Sequence, residues 1–444
     1  MLAPRFSTRL AARVSNGAQP TTAGLASTTR GFSRACHVAA VAITVLWFCV
    51  YSHFRKDGLC DEAGHMGILY HYAEAKAGLP DNLTTPPGYH FVVLALSRGH
   101  PNDTWARFTT LLFALLGLVA FSGAWREFHR RPAGAATLLF ALLPIMQPFA
   151  GMAYSDVPGL AILLWAWWAQ LRGQFFAAGA LLTISCLIRQ TNVVWGAFFV
   201  AAEITRASAA NPDWRASLST GWQRGRWLLL VIASAVLVVV VTGRFTPSAN
   251  HGNEFKPNIA TLYLGGLLVL FLGAPVWASH VRGALGEFRQ SLAKHRLRTG
   301  GAVVAAIGLV ALLTAAFANP HPWNQALSWP ETTFTLLRNW PLVYAGNHFG
   351  FRVFLALGVV LASVALARLF SRQTHARLLW LMAPFAVLLL ATNSLVDPRY
   401  FITPAVFLLF FLEVDRRSFG TLAVWFGVIC AVHAPFIVLG RALW

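Results

Sequence analysis

The stretch HVAAVAITVLWFCVYSHF, residues 37–54, contains no Asp, Glu, Lys or Arg. A helix needs about 20 such residues to cross the hydrocarbon core of a bilayer. We therefore predict that this stretch is the first of a series of membrane-spanning helices. Residues 1–36 contain several arginines and no acid, so they are predicted to be a basic cytoplasmic tail, with a targeting segment as the alternative.

The composition extends this prediction to the whole chain. Of its 444 residues, 57% are hydrophobic and only 11% are charged, whereas about 25% of residues are charged in soluble domains. The expected fold class is all-α, in a multi-pass membrane protein with one membrane domain over residues 37–444. The net charge of +19 does not indicate nucleic acid, because the basic residues lie in short loops between apolar runs. The five cysteines show no metal or disulfide spacing.

Apolar runs predict about 13 membrane crossings. They lie at roughly 37–54, 106–124, 134–150, 157–170, 174–188, 193–205, 227–242, 259–279, 301–318, 351–370, 378–392, 400–413 and 419–440. A long first outer loop, 55–105, contains a short apolar piece at 86–96 that is predicted to be a surface or re-entrant helix. With the N-terminus in the cytoplasm, most Lys and Arg fall on the inner side, which agrees with the positive-inside rule.

This topology places the unusual polar segments at the outer boundary. They are GLCDEAGH (58–65), TTPPGYH (84–90), AYSD (153–156), IRQTN (188–192), SANHGNEF (248–255), YAGNHF (344–349) and VDPRYF (396–401). The inner loops are plain clusters of Arg and Lys by comparison. Any chemistry is therefore expected on the non-cytoplasmic face.

Three acids are candidates for catalysis. Asp61 and Glu62 follow the first span, where a carboxylate can act as a general base on a hydroxyl. Their alternative roles are solvated loop acids or caps of a helix that begins near Ala63. Asp156 precedes Pro158, so it is either a helix cap or a second functional acid. The three are also possible ligands of a divalent cation, although their spacing is not diagnostic.

Two arginines are predicted to hold an anion. A cation inside a span costs about 2.5–3.5 kcal/mol on insertion scales, so Arg189 is expected to face a ligand or partner, with snorkelling to the headgroups as the alternative. Arg399 and Tyr400 form a second group of this kind, in which Asp397 and Arg399 are also a possible ion pair. Guanidinium groups match phosphate oxygens, so Arg189 and Arg399 together are candidates to bind a lipid phosphate.

The remaining candidates are polar residues suited to sugar hydroxyls. They are His65, Gln190, Asn192, Asn250 and His251. No histidines have the spacing of zinc ligands, so no structural zinc is predicted.

The order of these motifs resembles a known family. DEAGH (61–65), TTPPGYH (84–90), YSD (154–156), RQTNVVW (189–195), NH (250–251) and DPRYFITP (397–404) occur in the same order in the endoplasmic-reticulum alpha-1,2-glucosyltransferases. Those GT-C membrane enzymes add the last glucose to the lipid-linked oligosaccharide, using dolichyl-phosphate glucose. The Asp-Glu pair and the late Arg-Tyr are shared more widely among GT-C glycosyltransferases.

The resemblance implies a function and roles for the candidate residues. It implies an inverting hexosyltransferase, with a polyprenyl-phosphate sugar as donor and a glycan or lipid-linked oligosaccharide as acceptor. Asp61 would be the base, Glu62 the second candidate and Asp156 a helper, while Arg189 and Arg399 would hold the donor phosphate.

The expected location is the bacterial inner membrane, where undecaprenyl phosphate replaces dolichol, or the endoplasmic reticulum in a eukaryote. The alternatives are a transporter or flippase of an anionic lipid, and a non-catalytic membrane scaffold.

Overall fold

The structure, a computed structural model, is all-α. It describes residues 22–439 except 56–60, 77, 79, 81–82, 84, 211–212, 243–257, 320–339, 392–394 and 414. Every regular element within that part of the chain is a helix, which confirms the predicted fold class. The α-helices are α1 (Thr22–Phe54), α2 (Asp61–Ala73), α3 (Gly88–Leu96), α4 (Asp103–His129), α5 (Gly134–Ala141), α6 (Asp156–Leu171), α7 (Phe175–Ile188), α8 (Val193–Ala210), α9 (Trp214–Gly225), α10 (Leu230–Thr242), α11 (Ala260–Leu272), α12 (Ala274–Lys294), α13 (Arg296–Ala316), α14 (Trp340–Asn347), α15 (Phe349–Arg372), α16 (Ala376–Ala391), α17 (Ile402–Phe411) and α18 (Arg416–Val438).

Five of the described helices are long and apolar enough to cross a membrane. They are α1 from Arg30 onward, α4, α13, α15 and α18. A sixth crossing is possible if α11 and the first part of α12, which meet at an angle of 71°, form one broken span. The chain is thus an integral membrane protein. The count of 13 crossings and the cytoplasmic N-terminus remain predictions.

Two predicted spans are not continuous helices. The run 134–150 divides into α5 and a 3₁₀ turn at Gln147–Ala150, because Pro144 and Pro148 lack the N–H that a helix interior requires. The run 259–279 breaks at Gly273, where α12 starts with a proline in its first turn. The amphipathic α12 then continues to Lys294, through residues that were predicted to be an inner loop.

The core lies where α4 packs on α6 and α6 on α7. A Cβ at Gly117 of α4 would lie 3.5 Å from the Ala161 Cβ of α6, so small residues let these helices approach closely, as is common in membranes. Aromatic rings fill the space beside them. Phe121 stacks on Phe140 at 4.6 Å, and the fully buried Trp167 packs edge-on against Phe410.

The polar segments lie together at one end of this bundle. Because only a short turn joins α6 to α7, the start of α6 and the end of α7 lie at the same end of the bundle. The helices α2 and α3 cover that end and bury a small apolar cluster of Met66, Leu69, Tyr89, Val93, Ala106, Ala153 and Ile188. The cluster anchors α2, and hence Asp61, to the membrane helices.

Candidate active site

Asp61 is the first residue of α2 and pairs with an arginine from the far end of the sequence. Its Oδ2 lies 2.6 Å from the Nη1 of Arg399. Arg399 lies in a 3₁₀ turn (Pro398–Phe401) just before α17, and its Nε contacts Asp397 Oδ2 at 2.9 Å. The Asp61 side chain is 43% exposed, whereas that of Asp397 is 4% exposed. Arg399 therefore contacts two acids, the buried Asp397 and the accessible Asp61.

The second arginine pairs with the third candidate acid. Arg189 Nη1 lies 2.8 Å from Asp156 Oδ1, and both side chains are largely buried. Arg189 has extended backbone between α7 and a 3₁₀ turn at Gln190–Asn192. A charge at this position lies at a break between two helices and has a partner, so the high cost of an isolated charge in the membrane is avoided.

Two tyrosine rings join these ion pairs into one site. The guanidinium carbons of Arg189 and Arg399 lie 5.5 and 5.7 Å from the centre of the Tyr400 ring. Arg399 also lies 5.5 Å from the Tyr154 ring, whose hydroxyl accepts a hydrogen bond from the Asp61 backbone N–H at 3.0 Å. The face of an aromatic ring attracts cations, so Tyr400 supports both guanidinium groups together.

Two glycines permit the close packing that positions Arg189. A Cβ at Gly88, in TTPPG, would lie 2.5 Å from the Leu187 carbonyl oxygen, and a Cβ at Gly159 would lie 3.2 Å from the Arg189 Cβ. Ser185 donates to the Gly159 carbonyl at 2.8 Å and accepts from Asn192 Nδ2 at 2.7 Å. These contacts tie α3, α6 and α7 together around the break.

Glu62 has a different environment from its neighbour Asp61. It is fully buried and accepts hydrogen bonds from the Tyr51 hydroxyl, the Arg107 guanidinium and the Ala153 backbone N–H, at 2.5 to 3.3 Å. Arg107 is itself only 3% exposed. Glu62 therefore joins α1, α2, α4 and the segment before α6, which favours a structural role over its predicted role as second candidate base.

His65 lies one turn after Asp61 on α2 and pairs with a second histidine. Its Nδ1 lies 3.0 Å from the Nε2 of His90, and both rings are buried. Burial lowers the pKa of His65 to about 4, although the nearby Asp61 carboxylate raises it. Burial, together with His65, also lowers the pKa of His90. The pair is neutral at pH 7.

The stability of the protein is expected to fall as the pH decreases from 7.5 to 5. The pKa of His65 is depressed on folding, so only the unfolded chain takes up this proton as the pH falls below 6.5. The free energy of unfolding is therefore expected to be about 2 kcal/mol lower at pH 5. Thermal unfolding in detergent at the two pH values measures it. H65F should reduce the loss, whereas H71A, on the same helix, should retain all of it; an unchanged loss in H65F would contradict the prediction.

The structure thus brings most of the predicted residues to one end of the bundle. Asp61, Asp156, Arg189, Arg399 and Tyr400 form the connected network. His65 is buried and packs edge-on against the Tyr154 ring at 5.6 Å, and Gln190 and Asn192 are buried in the 3₁₀ turn that follows Arg189. Asn250 and His251 lie outside the described residues.

Sequence reasoning did not select three residues that complete this arrangement. Tyr154 lies within the quoted YSD motif, and His90 ends the quoted TTPPGYH motif, so motif position was the available signal for both. Arg107 lies inside a predicted span, where its charge alone was the signal. The ion pair of Asp397 with Arg399, which the sequence offered as one possibility, is present in the structure.

The acids of this site are not arranged as a metal centre. Asp61 and Asp156 each contact a different arginine, and Glu62 contacts Arg107. Among the described residues, the group whose ligand atoms lie close enough for a metal ion is His129, His375 and Glu413.

Comparison with known proteins agrees with the motifs. Residues 56–241 match the DIE2/ALG10 family, a region that includes Asp61, Asp156 and Arg189 but not Arg399. The Dol-P-Glc:Glc(2)Man(9)GlcNAc(2)-PP-Dol alpha-1,2-glucosyltransferase of Arabidopsis thaliana is 25% identical over 195 residues. That alignment covers 38% of this chain and 38% of the relative, so the chain spans well under half of the relative's length. These matches confirm the predicted resemblance to the GT-C glycosyltransferases.

Two solved structures have a distant likeness to the chain. ArnT from Cupriavidus metallidurans bound to undecaprenyl phosphate aligns with a TM-score of 0.43 at 17% identity, and its apo state aligns with 0.42 at 16% identity. Each alignment covers 91% of this chain and 77% of the ArnT chain.

Proposed function

We propose that this protein is a GT-C membrane glycosyltransferase that transfers a sugar from a polyprenyl-phosphate donor to a glycan acceptor. The observation that carries the proposal is the placement of two arginines on one tyrosine ring beside an accessible carboxylate. Arg189 and Arg399 provide the cations, Tyr400 the ring and Asp61 the carboxylate. The match of residues 56–241 to the DIE2/ALG10 family supports the same reaction class.

Asp61 is the base in this proposal because it is the most accessible of the acids in the site. Its side chain is 43% exposed, whereas those of Asp156 and Asp397 are 4% exposed and that of Glu62 is fully buried. A base must reach the acceptor hydroxyl. Asp156 and Asp397 instead orient Arg189 and Arg399, a role that suits buried, paired acids.

The arginines stabilise the charge that develops on the leaving group. The donor is a phosphodiester with one negative charge, and the departing polyprenyl phosphate is a monoester that gains a second. Arg189 and Arg399 therefore interact more strongly with the transition state than with the donor, which is the condition for catalysis. As the phosphate takes over contacts of Arg399, the guanidinium releases the Asp61 carboxylate to accept a proton.

The reaction then proceeds as a single displacement. The acceptor hydroxyl attacks the anomeric carbon from the face opposite the phosphate and gives its proton to Asp61. The bond between the anomeric carbon and the phosphate oxygen breaks, and that oxygen keeps the electron pair. The configuration at the anomeric carbon is inverted. Binding both substrates in one geometry supplies a large part of the rate enhancement.

The donor sugar in this proposal is glucose, and the new linkage is alpha-1,2. Both follow from the relative in Arabidopsis thaliana, whose name specifies Dol-P-Glc and an alpha-1,2-glucosyltransferase. The carrier is dolichol in a eukaryotic membrane and undecaprenol in a bacterial one. The acceptor is a glycan, carried on a lipid as in the relative's name, and the site faces the non-cytoplasmic side.

The test is transfer of labelled glucose by the purified protein in liposomes. Wild-type protein given radiolabelled dolichyl- or undecaprenyl-phosphate glucose and a lipid-linked oligosaccharide extract should release the lipid phosphate and label the glycan. R189K and R399K should each lower turnover about 10–100-fold, since lysine cannot reproduce the planar contacts of arginine. R98K, an exposed arginine of the same loop region, is the matched control.

Two results would contradict the proposal. Label that crosses the vesicle membrane without cleavage would show a transporter. Release and transfer at the wild-type rate by both R189K and R399K would remove the phosphate-binding roles.

A further inference from the structure

A cluster of potential metal ligands lies at the opposite end of the bundle from Asp61. His129 is the last residue of α4, His375 lies in the turn between α15 and α16, and Glu413 follows α17. One ligand atom from each lies within 4.8 Å of the others. The helix α4 carries Arg107 near its other end, and the rise of the helix from Arg107 to His129 places about 33 Å between the cluster and that end of the bundle.

The three segments that carry these ligands are already braced against one another. The Nε2 of His129 lies 2.8 Å from the Phe410 carbonyl oxygen, to which it donates a hydrogen bond. The Glu413 backbone N–H donates to Gln373 Oε1 at 2.8 Å, and His375 packs on the Phe128 ring at 4.3 Å. A histidine that donates one ring N–H to a backbone carbonyl has its tautomer and orientation set, and its other ring nitrogen is then available to a metal.

The charges and space around the cluster allow a cation to enter. A cavity of about 260 Å³ borders His375, and its lining includes Arg130 and Arg206. Each of these arginines pairs with an acid, Arg130 with Glu127 at 2.8 Å and Arg206 with Glu203 at 2.7 Å. The pairing offsets their repulsion of a metal ion.

We propose that His129, His375 and Glu413 bind one Zn²⁺ ion. Two imidazoles and one carboxylate form an established zinc ligand set, which leaves the fourth tetrahedral position to water. Bonds of about 2.1 Å place the ligand atoms about 3.4 Å apart, so binding would draw the three side chains closer than the present limit of 4.8 Å. The ion would connect the end of α4, the turn before α16 and the end of α17. The sequence predicted no zinc because the ligands come from three distant segments.

The test measures zinc binding to the full-length protein, which is purified with an affinity tag that contains no histidine. Protein in detergent is loaded with excess ZnCl₂, desalted and analysed for metal by mass spectrometry. Wild type should retain about one equivalent, and the same zinc should raise its apparent Tm. H375A and E413Q should bind zinc at least 10-fold more weakly and lose that Tm increase, whereas H295A, an exposed histidine outside the cluster, should match wild type.

H375A and E413Q leave the hydrogen bond from His129 to Phe410 in place, so they are informative where H129A fails to fold. Wild-type protein without retained zinc would overturn the proposal. Equal zinc content in wild type, H375A and E413Q would also overturn it. Because the site lies far from Asp61, zinc content and glucosyl transfer report on separate questions, and failure of one leaves the other standing.

Discussion

Replacing Asp61 by asparagine is expected to lower glucosyl transfer by about 10²–10⁴-fold, the range that a positioned general base contributes. Asparagine has the shape of aspartate but cannot accept the proton of the acceptor hydroxyl. Because the Asp61 side chain is 43% exposed, the change is expected to leave the fold intact. Turnover in liposomes and the apparent Tm in detergent, measured on the same preparation, separate the two effects.

The control for this experiment is an acid of the same segment, residues 55–105, that does not touch the site. Glu74 is exposed and pairs with Lys76 at 2.6 Å. E74Q should transfer glucose at the wild-type rate. Wild-type turnover by D61N, with E74Q also unaffected, would exclude Asp61 as the base. The phosphate-binding roles of the two arginines would still be tested by R189K and R399K.

Replacing Glu62 by glutamine is expected to destabilise the protein by about 3–5 kcal/mol. The change leaves the Arg107 guanidinium buried without a compensating charge, which costs much more than removing a pair entirely. Arg107 is only 3% exposed. Thermal and denaturant unfolding in detergent measure the loss, and the double variant E62Q/R107M should recover part of it.

A second buried acid serves as the matched control for Glu62. Glu203 is 1% exposed, but its partner Arg206 is 39% exposed and can turn to solvent when the acid is lost. E203Q should therefore cost clearly less than E62Q. An E62Q protein with wild-type stability and no turnover would contradict the structural role and support the predicted catalytic role of Glu62.

The contrast between Asp61 and Glu62 shows how far sequence reasoning reached. Adjacent positions in one motif gave both residues the same prediction, with Asp61 preferred only through the family resemblance. On α2 adjacent side chains point in directions about 100° apart, so one meets the open site while the other enters the core. Burial and partners, which depend on α1 and α4, separate their roles.

The amino-acid sequence by itself determined that this protein is an all-α membrane protein, because apolar runs of this length must satisfy their backbone hydrogen bonds within helices. The motif order also determined its resemblance to a glycosyltransferase family. Only the tertiary structure decided that Arg399 meets Asp61 and shares the Tyr400 ring with Arg189. Contacts between residues hundreds of positions apart follow from the way helices pack, and local patterns of hydrophobicity do not encode that packing.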